Sequence, residues 1–152
     1  MVQGIYFHIP YCLSKCRYCD FYSLGGSAQV PQAYVDALLR ELARLRWQLP
    51  GAPDTLYFGG GTPSLLRPAQ LAQLIDAAQP RAGAEITLEA NPETLTPALL
   101  RGFFAAGANF PWACKRPWMK ACAAWGARTP PPRPARRCFG HKRRALPTCR
   151  AT

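Results

Sequence analysis

Three times within its first 109 residues the sequence passes from a short β-rich run to a helical stripe. Ile5-Tyr6-Phe7-His8-Ile9, stopped by Pro10, predicts a strand. Tyr34, Leu38, Leu42, Leu45 and Leu49 then recur at steps of three and four. That spacing predicts an amphipathic helix, stopped by Pro50-Gly51. Thr55-Leu56-Tyr57-Phe58 predicts a second strand, ended by Gly59-Gly60-Gly61. Leu71, Leu74, Ile75 and Ala78 mark a second helix after Pro68. Glu85-Ile86-Thr87-Leu88-Glu89-Ala90 predicts a third strand, ended by Asn91-Pro92. Thr96 caps the predicted third helix, with Pro97 in its first turn and Gly107 just beyond its end. Its expected buried face is Leu99, Leu100, Phe103 and Phe104.

The order β-α-β-α-β-α implies a parallel sheet with right-handed crossovers, an α/β fold of three β/α units. It does not decide between an open sheet and a barrel. In either, ligands sit at the C-terminal edge of the strands. The distinctive residues all fall there: cysteines after the first strand, glycines after the second, Glu89 at the end of the third. Their convergence on one edge points to a shared site.

The remaining residues, 110–152, have another composition. Residues 1–109 balance eight Lys and Arg against eight Asp and Glu. Residues 110–152 carry eleven Lys and Arg, no acid, four of the seven cysteines and three of the four tryptophans. Leu146 is their only Leu, Ile or Val. Two segments are therefore expected: a folded one over 1–109 and a disordered, basic Pro/Arg/Cys-rich tail over 110–152. A nucleic-acid-binding arm is the sharper reading of such a tail. No run approaches 18 apolar residues, which argues against a membrane span. The start lacks a basic segment ahead of an apolar one, which argues against a signal peptide. The expectation is a cytoplasmic protein, in whose reducing compartment clustered cysteines favour metal or redox chemistry over disulfides.

Cys12-Leu-Ser-Lys-Cys16-Arg-Tyr-Cys19 places three thiols within eight residues. A closed zinc site wants four ligands, and no further cysteine lies within 1–109, so His8 would have to serve as the fourth. A [4Fe–4S] cluster held by three cysteines instead leaves one iron open to a non-protein ligand. Buried structural thiols are the plainest alternative. Gly59-Gly60-Gly61-Thr62-Pro63 is by itself an ordinary strand-to-helix turn, and Glu89 by itself an ordinary solvated carboxylate. Their value comes from sharing an edge with the cysteines.

Tyr6-Phe-His-Ile-Pro-Tyr-Cys12 through Cys19-Asp-Phe-Tyr-Ser, then Leu-Tyr-Phe-Gly-Gly-Gly-Thr-Pro-Ser, then Leu-Glu-Ala-Asn-Pro, resemble a known family. It is the radical S-adenosylmethionine (SAM) family of oxygen-independent coproporphyrinogen III oxidases and HemW-type heme chaperones, matched from about residue 4 to residue 109. The resemblance implies a radical SAM (β/α) partial barrel and a [4Fe–4S] cluster on Cys12, Cys16 and Cys19. It implies SAM bound at the open iron, and an electron donor whose electron, passed through the cluster, cleaves SAM to a 5′-deoxyadenosyl radical. Tyr6, Gly60 and Glu89 match positions that contact this SAM. Tyr18, Gly61 and Thr62 match positions that contact a second SAM in the oxidase branch. Oxidases tend to carry another cysteine two residues after the third cluster cysteine and an N-terminal extension. Here Asp20-Phe21 follows Cys19 and the chain starts almost at its first strand, which resembles the chaperone branch. The partner implied is then heme, or a porphyrinogen if the oxidase branch holds.

The resemblance stops after Asn109, in mid-fold. The codons of Phe110-Pro-Trp-Ala-Cys-Lys-Arg116, read two bases further in, permit Ser-Leu-Gly-Val-Gln-Ala. That peptide resembles the next strand of the family, so a frameshift after Asn109 is expected. The chain as translated is then expected to be inactive, with an unpaired edge strand.

Overall fold

The structure is a computed structural model of the 152-residue chain, and it describes residues 3–15, 19–91 and 94–109. The expectations for the 110–152 tail lie outside the described residues, as do Cys16 and Tyr18.

The expected alternation is present. Strand β1 (Gly4–Ile9) is followed by α1 (Gln32–Leu45), β2 (Thr55–Gly60), α2 (Pro68–Ala78), β3 (Glu85–Leu88) and α3 (Pro97–Ala105). The strands form one parallel sheet in the order β1-β2-β3. Tyr6 lies opposite Tyr57, and Tyr57 opposite Thr87.

Because side chains alternate along a strand, each strand presents one face to the helices and one away from them. Phe7, Ile9, Leu56, Phe58, Ile86 and Leu88 are buried in one core with Val35 and Leu42 of α1, Leu71 and Leu74 of α2, and Leu100 and Phe103 of α3. The Phe7 and Phe58 rings stack at 4.7 Å between centroids. Tyr6, His8, Tyr57 and Thr87 occupy the alternate positions, and both tyrosines are exposed.

Helix ends follow the expected chemistry. The Thr96 hydroxyl accepts a hydrogen bond from the Leu99 amide at 3.2 Å, and Pro97 opens α3. Gly107 adopts φ +98°. Its amide donates to Phe104 and the Ala108 amide to Phe103, both at 3.0 Å. These two bonds form a Schellman closure, which needs the left-handed residue that glycine supplies. Arg46 caps the end of α2, donating to the Ala78 carbonyl at 2.6 Å.

Two helical stripes differ from expectation. Helix α1 ends at Leu45 and tightens into a 3-10 turn, Arg46–Gln48. Leu45, the last residue of α1, is exposed, while Val35 and Leu42 are the fully buried residues of α1. In α3, Leu100 and Phe103 are buried but Phe104 is exposed. One position past Phe103, its side chain points about 100° away from the core. The third strand is also shorter than expected. Its ladder ends at Leu88, so Glu89 stands at the strand's C-terminal edge, tied by its amide to the Phe58 carbonyl at 3.0 Å.

Candidate functional site

At the end of β1 the backbone turns at Pro10 into the cysteine loop. The loop is closed at its neck: the Cys12 amide donates to the Leu24 carbonyl at 2.9 Å, and the Ser27 amide to the Cys12 carbonyl at 3.0 Å. The Gly26 amide adds a bond to Leu13 at 3.0 Å, with Gly26 at φ +80°. Cys12 and Cys19 are free and partly buried.

The glycine turn after β2 is laced to this neck. The Gly61 amide donates to the Ile9 carbonyl at 2.8 Å and the Thr62 amide to the Tyr11 carbonyl at 2.7 Å. No side chain fits at Gly61: a Cβ there would lie 2.7 Å from the Tyr11 oxygen and 2.9 Å from Cys12 Sγ. Gly60 adopts φ +117°, and a Cβ on it would meet the His8 ring at 2.8 Å. Thr62 is buried, and its hydroxyl donates to Cys12 Sγ at 3.5 Å.

The third corner is Glu89. Its Oε1 accepts a hydrogen bond from the Tyr57 hydroxyl at 2.6 Å, and its Oε2 one from the Gly60 amide at 3.3 Å. The Tyr57 ring stacks on Tyr6 with centroids 5.8 Å apart. The Tyr6 hydroxyl lies 3.4 Å from His8 Nδ1. Burial, then the hydrogen bond from Tyr57 to Glu89, then the Glu89 and Tyr6 charges push the Tyr57 phenol up to about 12. Burial and the Glu89 charge raise Tyr6 as well. Both phenols are therefore protonated near neutral pH.

Of the nine residues expected at the site, the structure brings Cys12, Gly61 and Thr62 together at the loop neck. It links Gly60 and Glu89 to Tyr6, midway along β1, through Tyr57. Cys19 lies in the loop that leaves β1. Cys16 and Tyr18 lie outside the described residues. Tyr57 is the residue that sequence reasoning missed. Its position between Leu56 and Phe58 was the available signal, since period-two alternation turns it away from the core.

The donor set fits an iron–sulfur centre. Two partly buried thiols in one loop, that of Cys12 beside a glycine turn and accepting from a hydroxyl, match what such clusters take from protein. The sequence matches the Radical SAM superfamily over residues 6–112. The chain belongs to that superfamily.

Within the radical SAM superfamily its relatives are of the HemW and HemN type. It is 40% identical over 112 residues to the heme chaperone HemW of Escherichia coli, covering 70% of this chain and 30% of that protein. It is 41% identical over 115 residues to HemW of Mycobacterium tuberculosis, covering 68% and 29%. With a mitochondrial radical S-adenosyl methionine domain-containing protein 1 of Bos taurus it shares 36% over 116 residues, covering 70% and 25%. Among solved structures it resembles the radical SAM enzyme coproporphyrinogen III oxidase (HemN) of Escherichia coli. The TM-score is 0.63 at 31% identity, over 71% of this chain and 26% of that one. The chain thus spans under a third of the length of these relatives. Superfamily membership implies a [4Fe–4S] cluster and SAM. Among the described residues no helix is long and apolar enough to cross a membrane.

Proposed function

We propose that this chain is the N-terminal part of the radical SAM core of a HemW-type heme chaperone, with Cys12, Cys16 and Cys19 as its cluster ligands. The observation that carries the reading is the closure of the glycine turn onto the cysteine loop, Gly61 against Cys12 Sγ at the sheet edge. The cluster, when bound and reduced, supplies the electron for one-electron cleavage of SAM. The chain's own residues hold the parts in place. Gly61 leaves room beside Cys12, and the Thr62 hydroxyl stabilises negative charge on its sulfur. The fixed carboxylate of Glu89, the Gly60 backbone and the Tyr6 ring are linked through Tyr57 into one wall that would hold SAM.

The chaperone branch is favoured over the oxidase branch by Asp20-Phe21, where an oxidase tends to carry another cysteine. The HemW relatives at about 40% identity point the same way. The partners on this reading are SAM, heme and an electron donor. Gly61 and Thr62 then serve the cysteine loop rather than a second SAM. We also propose that residues 110–152 are out of frame, and that the chain as translated loads a cluster but completes no catalytic cycle.

The experiment compares heme retention with coproporphyrinogen III oxidation in the frame-restored protein under strict anaerobiosis. Stable heme binding with little decarboxylation is expected. Efficient conversion to protoporphyrinogen IX would restore the oxidase assignment.

A further inference from the structure

We infer that Tyr57 is a positioning residue for SAM: its hydroxyl fixes the Glu89 carboxylate in the orientation that receives the ligand. The inference rests on the proposed SAM site and adds to it a residue to which the family resemblance gives no role.

Tyr57 touches two parts of the wall, Tyr6 and Glu89, and the glycine just before the third. Its ring lies against Tyr6, its hydroxyl holds Glu89 Oε1 at 2.6 Å, and its Cε1 would lie 2.8 Å from a Cβ at Gly59. The sheet register explains the reach. Tyr57 pairs with Thr87, and Glu89 follows two positions later, just past the end of β3. A tyrosine is long enough to span that diagonal.

The Gly60 amide holds the other oxygen, so the carboxylate is gripped on both sides. A glutamate side chain has three rotatable bonds, and a free one would sample many rotamers before meeting a ligand. Gripped at both oxygens, it keeps lone pairs directed to the open face and loses less entropy on binding. The phenol remains a donor through the neutral range, because Glu89 and burial hold its proton in place.

The test uses the cluster-loaded full chain and SAM as the probe, with binding read from the cluster's EPR signal and by calorimetry. Tyr57→Phe removes only the hydroxyl. It should weaken SAM binding about five- to thirtyfold, because the freed carboxylate must then be ordered when the ligand binds. Iron content should hold. In a Glu89→Ala background, Tyr57→Phe should cause no further loss, because the hydroxyl acts only through the carboxylate. Replacing Tyr57 with 4-aminophenylalanine, which restores a donor at similar reach, should recover part of the affinity.

Unchanged affinity in Tyr57→Phe, or losses that multiply in the double variant, would overturn the positioning role while leaving the SAM site intact. A wild-type chain that carries its full cluster yet binds no SAM would overturn the site itself, and this inference with it.

Discussion

The hydroxyl of Thr62 donates to the sulfur of Cys12 at 3.5 Å, across fifty positions of sequence. The contact exists because the Thr62 amide is tied to the Tyr11 carbonyl, next to Cys12. A donor to a ligating sulfur stabilises the more negative, reduced state of a cluster and so raises its potential. Thr62→Val should therefore make the cluster harder to reduce, by on the order of a few tens of mV. Thr62→Ser should behave like the wild type. An EPR-monitored redox titration reads the shift, and equal potentials in the valine and wild-type proteins would remove Thr62 from this role.

Gly61→Ala tests the cradle by sterics alone. The added methyl would meet the Tyr11 carbonyl oxygen at 2.7 Å and Cys12 Sγ at 2.9 Å, and the first of these is backbone. Such overpacking costs about 1–3 kcal/mol and forces the loop neck apart. Cluster loading after anaerobic reconstitution should fall sharply, while Gly83→Ala, at φ +76° with nothing within 4 Å of the added Cβ, should leave loading unchanged. Normal loading in Gly61→Ala would show that the cluster does not need the glycine turn.

The fold was legible where local chemistry decides it. Pro10, Gly59 and Asn91-Pro92 punctuate strands that the structure ends within a few residues, and Gly107 closes α3 as its left-handed role requires. The site's edge was legible too, because parallel strands bring their C-terminal ends together wherever the crossovers are short. The rest depends on register and tertiary distance. Tyr57 meets Glu89 across 32 positions, through a pairing of β2 with β3 that no local pattern encodes. Phe104 and Leu45 looked like core because a stripe of apolar residues does not say where along a helix the core ends or how wide its buried face is.

Tyr57 also gives an alkaline signature. Its folded-state phenol is pushed up to about 12 from an ordinary 10.0, so the folded protein keeps this proton longer than the unfolded chain does. The associated stability is complete below about pH 10 and is lost as pH rises toward 12. The melting temperature of the wild type should therefore fall more steeply between pH 10 and 12 than that of Tyr57→Phe. Parallel curves for the two proteins would show that burial and Glu89 do not hold this proton in the folded protein.

The proposed frame change makes a prediction at one codon. The Asn109 amide donates to the Ile86 carbonyl at 2.7 Å, so the last described residue of the chain returns to β3. Sequencing the gene and its transcript there should reveal a shifted frame that continues with a Gln-bearing strand. The repaired protein should be more soluble, because a fourth strand covers the open edge. A repaired frame that meets an early stop, or sequence without further β/α units, would leave the basic stretch as a genuine feature of the protein.

The central claim is that the cysteine loop holds a [4Fe–4S] cluster that meets SAM. Anaerobic reconstitution of the full chain, followed by iron and sulfide analysis and EPR of the reduced form with and without SAM, tests it most directly. The account predicts a [4Fe–4S] signal that SAM perturbs, and its loss in Cys16→Ser, since two thiolates do not hold the cube. A protein that arrives with stoichiometric zinc and takes up no iron would contradict it.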